Sequence, residues 1–298
     1  MIPYIRLVSR IYGQAPMAKP FIREIKASTI LTPQKMGSLV NHYEYSLNPY
    51  AGCAFACSYC YVPKFPNAEH QSFEWGKWVN VKINAADLIY KERQKVFNSR
   101  IFFSSATDPY QYLELKYRLT RACLQELLKY SPALITMHTR SHLALQDIEL
   151  FKKFGKRLRF GVSFTTDSDD IAREFEPKAP SIKKRLQLLK GLKEAGISCH
   201  ASLAPLLPCD PERLAAILKP YVEHIWIDEM NYPEINNKPE LLQKYKGFFE
   251  TKSYRRTIES IRKSFQRPRS LSRNTAIKSI DRQRAQTDGA TALQLSLF

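Results

Sequence analysis

Three thiols crowd into eight residues of the chain, Cys53, Cys57 and Cys60, in the run Cys53-Ala54-Phe55-Ala56-Cys57-Ser58-Tyr59-Cys60. A C-x3-C-x2-C spacing within one loop lets three thiolates converge, so the first chemistry to consider is metal binding. A structural zinc ion takes four ligands, and the nearby candidates for a fourth, His42 and His70, fall into no finger spacing. A [4Fe–4S] cluster held by three cysteines leaves one iron open to a ligand that is not protein, which suits a cluster that reacts. Both readings stand on the cysteines alone, and the spacing fits the cluster better.

The elements that must position this loop follow from the patterning around it. Six β-rich runs, at 43–47, 100–106, 133–140, 158–165, 197–205 and 222–228, alternate with amphipathic stretches at 85–97, 119–130, 144–154, 180–195 and 211–219. Gly196, after Lys193-Glu194-Ala195, supplies the residue expected just past a helix C-terminus. Repeated strand–helix alternation indicates parallel βα units. Within the strands one parity is apolar: Ile135 and Met137; Phe160, Val162 and Phe164; Cys199, Ala201 and Leu203; Ile225 and Ile227. The other carries Thr136, His138 and Arg140; Arg159, Gly161, Ser163 and Thr165; Ser198, His200 and Ser202; His224, Trp226 and Asp228. A parallel sheet buried on both faces reads as continuous apolar runs. A polar parity repeated over four strands instead predicts an α/β fold of the open partial (β/α)6 barrel type, with helices outside and a polar site within.

The cysteine run, preceded by Asn48-Pro49-Tyr50-Ala51-Gly52 and followed by Tyr61, resembles the radical S-adenosylmethionine (radical SAM) superfamily. The branch it is similar to is that of spore photoproduct lyase and the "DNA repair photolyase" group. The resemblance spans residues 22–230 and includes Arg23-Glu24-Ile25-Lys26-Ala27-Ser28, Thr107-Asp108-Pro109-Tyr110-Gln111 with Glu114, and Thr139-Arg140-Ser141. It continues through Gly161-Val162-Ser163-Phe164-Thr165-Thr166, Glu176-Pro177-Lys178-Ala179-Pro180 with Arg185, and Ala204-Pro205-Leu206-Leu207-Pro208. It implies that Cys53, Cys57 and Cys60 bind a [4Fe–4S] cluster whose fourth iron is chelated by S-adenosylmethionine. It further implies Tyr59 against the adenine, Arg140 at the methionyl carboxylate, and Ser163 and Ala204 at the ribose and amino acid. Asp108 is grouped with these cofactor-side residues and can equally cap its own loop. Glu176 and Arg185 read as a structural ion pair, and the inward His138, His200 and His224 as lining groups or secondary acid–base candidates.

The implied chemistry is reductive cleavage of S-adenosylmethionine, fed by a reductant such as flavodoxin or ferredoxin, with hydrogen abstraction from a substrate. One departure matters. Spore photoproduct lyases carry a hydrogen-donating cysteine three residues before the aspartate, where this chain has Ser105. A hydroxyl O–H is far stronger than a thiol S–H and donates hydrogen poorly. Tyr61 and Cys209 are the remaining candidates for catalytic hydrogen transfer, since Cys199 is outward by parity and Cys123 lies in a helical stretch.

Charge adds a partner. The 298 residues carry 46 Lys and Arg against 28 Asp and Glu, a formal +18, which points to a polyanion such as DNA. Residues 251–298 alone hold +8, and no aromatic occurs from Gln266 to Gln294, so a flexible basic tail is expected beyond a folded body. The sequence ends Gln294-Leu295-Ser296-Leu297-Phe298, which resembles the pentapeptide that bacterial repair proteins use to grip the sliding clamp. That resemblance assigns Gln294, Leu295, Leu297 and Phe298 to partner binding, on a tether spanning on the order of 30 Å. The expected organisation is a lead-in at 1–40, the barrel at 41–232, a helical extension at 233–265 and the tail at 266–298. With no run of about 18 apolar residues and no readable leader, a cytoplasmic, nucleoid-associated monomer is expected. RNA, a peptide or a metabolite are alternative substrates. A non-catalytic iron–sulfur DNA-binding module is a further alternative, against which Tyr59, Arg140 and Ser163 weigh.

Overall fold

The structure is a computed structural model that describes residues 20–35, 40–64, 75–230 and 238–266. Residues 1–19 of the lead-in, His70, most of the tail, and Gln294, Leu295, Leu297 and Phe298 with it, lie outside the described residues. In chain order the strands are β1 (Phe21–Ile25), β2 (Leu31–Pro33), β3 (Tyr45–Leu47), β4 (Tyr50–Ala51), β5 (Trp78–Lys82), β6 (Arg100–Phe103), β7 (Leu134–Thr139), β8 (Leu158–Ser163), β9 (Cys199–Leu203) and β10 (Ile225–Ile227). They form a seven-stranded sheet ordered β10-β9-β8-β7-β6-β3-β2 and a three-stranded sheet ordered β1-β5-β4. From β3 to β10 the large sheet is parallel throughout, and β2 joins its edge antiparallel to β3. Six parallel strands whose ends do not pair with each other make the open partial barrel that the alternation predicts.

The parity rule explains the layers. Ile101 and Phe103, Ile135 and Met137, Phe160 and Val162, and Ala201 and Leu203 are all buried in one apolar core with residues of the surrounding helices. Leu188, Leu189 and Leu192 of the helix Ile182–Glu194 enter that core. This helix ends as Gly196 predicts: at φ +72°, the Gly196 amide donates to Lys193 O (3.0 Å) and the Ile197 amide to Leu192 O (2.9 Å), a Schellman closure. Asp210 caps the helix Pro211–Leu218 by accepting from the Glu212 and Arg213 amides, with Pro211 in its first turn. The last described helix, Thr251–Phe265, buries Tyr254, Ile258 and Ile261 at i, i+4, i+7 spacing, and Tyr254 Oη donates to Leu206 O.

The three-stranded sheet is the element that the sequence pattern does not announce. β1 is largely exposed, in no two-residue rhythm, and β4 is two residues long. Its use is local: it carries β5 past the cysteine loop.

Candidate active site

The cysteine loop begins where β4 ends and is braced from two sides. On one side it meets β5 so closely that only glycine fits. Gly52, at φ +86°, would place a Cβ 2.6 Å from Trp78 O, and Gly76, at φ +84°, would place one 2.2 Å from the Ala56 Cβ. On the other side the loops after β6 and β8 hold its backbone. Thr107 Oγ1 donates to Gly52 O (2.7 Å), and Gln111 Oε1 accepts from the Ala54 amide (2.9 Å). The Lys178 amide donates to Phe55 O and the Ser58 amide to Phe175 O. Thr107, Gln111 and the 175–178 turn therefore shape the thiol loop, although they lie more than fifty residues from it. No single-sequence spacing reveals such partners.

Cys53 and Cys57 are buried and Cys60 is half-buried. The three thiols are near enough to disturb one another's ionisation. Burial pushes each up to about 12, so without metal they are neutral. Opposing groups are in place: the Phe55 and Asp108 amides donate to Cys53, the Val62 amide to Cys60, and Arg140 and Arg185 favour the Cys57 thiolate. Among the described residues no three His, Cys, Asp or Glu side chains close on a single metal ion. Three thiols close enough to feel one another, with backbone amides donating to two of them, fit a cluster in which each cysteine takes a different iron.

Beside the thiols stands a buried ionic knot. Glu176 Oε1 accepts from Arg140 Nε (3.1 Å), Thr165 Oγ1 (3.0 Å) and the Tyr59 hydroxyl, and Glu176 Oε2 accepts from Arg185. Arg140 also donates to Tyr59 Oη (2.8 Å). Burial pushes the Glu176 carboxyl up, but Arg185 and Arg140 overcome it and hold the group down at about 2. Arg185, wholly buried, also donates to Pro180 O (2.9 Å) and approaches Ser163 O. The structure thus brings Tyr59 and Arg140 together at Glu176, a hub that the sequence reading treats only as the partner of Arg185.

Of the remaining candidates Asp108 touches the knot through Arg140, and the others lie at strand ends and in loops. Asp108 is buried, with Oδ1 accepting from the Tyr110 amide and Thr139 Oγ1 and Oδ2 from the Arg140 amide. Its carboxylate fastens the β6 loop to the end of β7. Ser163 ends β8 and pairs in register with Ser202, and Ala204 directly follows β9. Tyr61 Oη donates to Ser105 O (2.8 Å), and the Ser105 hydroxyl accepts from Asn48 Nδ2 (3.3 Å), so these two catalytic candidates meet. Cys209 sits against the outer core, with Asp167, Asp210 and Arg213 for charged neighbours.

Comparison with known proteins settles the class. The family profile for the radical SAM superfamily matches residues 47–219. The chain belongs to the radical SAM superfamily. An uncharacterised protein of Methanocaldococcus jannaschii is 32% identical over 237 residues, 73% of this chain and 87% of that protein. Among solved structures, a spore photoproduct lyase mutant superposes with a TM-score of 0.57 at 14% identity, over 82% of this chain and 77% of that one. A second mutant of that lyase, solved with bound AdoMet and dinucleoside spore photoproduct, gives 0.55 at 15% identity, over 82% and 77%. These likenesses establish the fold. Radical SAM proteins use a [4Fe–4S] cluster and S-adenosylmethionine, and these are the cofactors of this chain. Membership of the superfamily makes it an enzyme that draws on a reductant. Among the described residues no helix is long and apolar enough to cross a membrane.

Proposed function

We infer that this radical SAM enzyme acts on a nucleic-acid base, with damaged DNA as the first substrate to test. When bound, the cluster and S-adenosylmethionine supply one-electron cleavage of the sulfonium and a 5′-deoxyadenosyl radical for hydrogen abstraction. In this reading Cys53, Cys57 and Cys60 hold the cluster. Tyr59, Arg140, Ser163 and Ala204 receive S-adenosylmethionine, and Asp108 acts through the Arg140 amide. The observation that carries the reading is the placement of the Tyr59–Arg140–Glu176 knot beside the three thiols at the C-terminal ends of the strands. A cluster that only held the fold together would have no use for a largely buried guanidinium with its outer edge still accessible there. Support for nucleic acid comes from the +18 charge and from the neighbour solved with a dinucleoside lesion.

Ser105 in place of a thiol points away from the spore photoproduct reaction itself. Tyr61, hydrogen-bonded at Ser105 O, is the better placed of the candidates to return hydrogen, and Cys209 is the alternative. Residues Gln294, Leu295, Leu297 and Phe298 would dock on a bacterial sliding clamp and concentrate the enzyme at DNA. The test is anaerobic reconstitution with dithionite, followed by deuterium tracing into 5′-deoxyadenosine from labelled lesion-bearing DNA, undamaged DNA and tRNA side by side. Transfer from DNA is expected. Cleavage of S-adenosylmethionine with label arriving only from RNA would replace the substrate, and an intact cluster without cleavage would sink the enzyme reading. Clamp capture should disappear in the Leu297→Ala, Phe298→Ala double variant.

A further inference from the structure

The helix Thr251–Phe265 divides its surface between two tasks. Tyr254, Ile258 and Ile261 are buried in the apolar core. On the opposite side Lys252, Arg255, Arg256, Glu259, Arg262 and Lys263 are all exposed. At 3.6 residues per turn these six side chains share an arc of about 120°, and Lys252 and Lys263 stand about 16 Å apart along the axis. The exposed face is thus a row of five cations with one carboxylate among them. Elsewhere on the body surface cations sit beside carboxylates, as in Lys129–Glu126 (2.6 Å) and Lys152–Glu149 (2.8 Å). Interspersed signs are enough for solubility. A row of one sign instead concentrates positive potential along a line.

The row starts at the barrel mouth. Tyr254 Oη donates to Leu206 O (2.7 Å), in the loop that follows β9 and Ala204. The neighbouring Leu207 amide donates to Thr165 O (2.9 Å), and Thr165 Oγ1 donates to Glu176. The helix also packs on Pro211–Leu218, which leaves the same loop. Lys252, Arg255 and Arg256 lie within one turn of Tyr254. A short chain of contacts therefore links the near end of the row to the ionic knot beside the thiols.

We propose that this exposed face is a docking surface for the phosphate backbone of duplex DNA, which holds a long substrate against the barrel mouth. For its partner the proposal rests on the nucleic-acid reading above. One strand of B-DNA presents a phosphate about every 3.4 Å, so about 16 Å of helix faces about five of them. Three of the five cations are arginines, whose forked guanidinium matches phosphate oxygens. A lipid surface fits less well, because the apolar side that such a helix would sink among acyl chains is already buried in the body. Contacts of this kind position a duplex without reading its bases.

Fluorescence anisotropy of a labelled duplex, titrated with the full-length reconstituted enzyme from about 50 to 200 mM salt, tests this. Arg255→Gln, Arg256→Gln and Lys263→Gln together should weaken binding at least tenfold and lower the slope of log affinity against log salt by roughly 2–3. The Arg255→Lys, Arg256→Lys variant keeps both charges and should retain the parent slope. As a control, Lys153→Gln, Lys156→Gln and Lys183→Gln remove the same charge from exposed positions elsewhere on the body, and should change the slope by less than about 1. An unchanged slope in the first triple variant or an equal loss in the control would overturn the docking surface. So would tighter, row-dependent binding to phosphatidylserine vesicles than to the duplex. Substrate kinetics separate this proposal from the reading beneath it. The first triple variant should raise KM for a labelled duplex at least tenfold more than for a labelled dinucleotide, which carries a single phosphate. Deuterium transfer from DNA with duplex KM and slope both unchanged overturns the docking surface and leaves the nucleic-acid reading standing. No transfer from DNA in the parent, with duplex binding still dependent on the row, overturns the substrate reading alone.

Discussion

Glu176 and Glu114 are both wholly buried, yet one is kept ionised and the other is pushed toward neutrality. Two arginines, Arg140 and Arg185, surround Glu176 and hold it at about 2. Among the described residues no cation pairs with Glu114. Its Oε1 accepts from the Tyr50 hydroxyl and the Thr120 amide (2.8 Å), Oε2 is enclosed without a partner, and burial raises the group to about 7. The two carboxyls have the same chemistry and the same burial, so their neighbours alone set their charge. The difference separates two tasks. Glu176 organises charge next to the thiols, whereas Glu114 ties β4, ahead of the cysteine loop, to the helix Leu119–Leu128 behind it.

The largest expected effect breaks the charged member. Glu176→Gln leaves Arg185, which is fully buried, without its counter-charge, and should cost about 3–5 kcal/mol in urea unfolding. The double variant Glu176→Gln, Arg185→Met removes both charges and should recover most of that loss. Glu114→Gln, by contrast, keeps an acceptor for Tyr50 and Thr120 and should stay within about 1 kcal/mol of the parent near pH 7. Equal losses in the two single variants would erase the distinction.

The same contrast gives opposite pH dependences. Glu114, with its folded pKa above the ordinary 4.5, adds stability that is full below pH 4.5 and disappears as pH rises through about 7. On the order of 3 kcal/mol is at stake. Glu176, with its folded pKa depressed, adds stability that is present above pH 4.5 and is lost as pH falls through about 2. Partly buried His138, His142 and His200, held well below the ordinary imidazole range, slope the other way in the same window, so the readout is a difference. From pH 4.5 to 8 the parent should lose stability relative to Glu114→Gln. A difference that stays constant with pH would mean that Glu114 does not carry the effect.

These contrasts also mark what the sequence could tell. Four of the barrel strands are legible by parity, because Ile135/Met137, Phe160/Val162, Ala201/Leu203 and Ile225/Ile227 alternate with polar residues at a two-residue period, the imprint of one face against helices and one facing inward. The thiol run is legible because its ligands are local. Glu176 and Arg185 are readable as a pair because they lie nine positions apart beside one helix start. The links from Glu176 to Tyr59 and Arg140 cross 117 and 36 positions, and those from Thr107 and Gln111 to the cysteine loop cross 55 and 57. Contacts of that kind are made by the fold and leave no spacing to find. The small sheet escaped for a different reason: β1 is mostly exposed and β4 too short to show any period.

The smallest change separates the knot's structural work from its work on the cofactor. Tyr59→Phe removes one hydroxyl that donates to Glu176 and accepts from Arg140, while the ring still packs against the core beside Phe175. Stability should fall by only about 1 kcal/mol, because Glu176 keeps both arginines and Thr165. Arg140, however, loses one of the two side-chain contacts that orient it. If that guanidinium receives the methionyl carboxylate, the apparent Kd for S-adenosylmethionine should rise several-fold, measured by equilibrium dialysis on the reconstituted protein. Arg140→Met should raise it further, since it deletes the charge outright. If Tyr59→Phe lowered stability as much as Glu176→Gln while leaving the Kd untouched, the knot would be a structural brace like Glu114. The contrast between the two glutamates would then be one of charge alone, without consequence for cofactor binding.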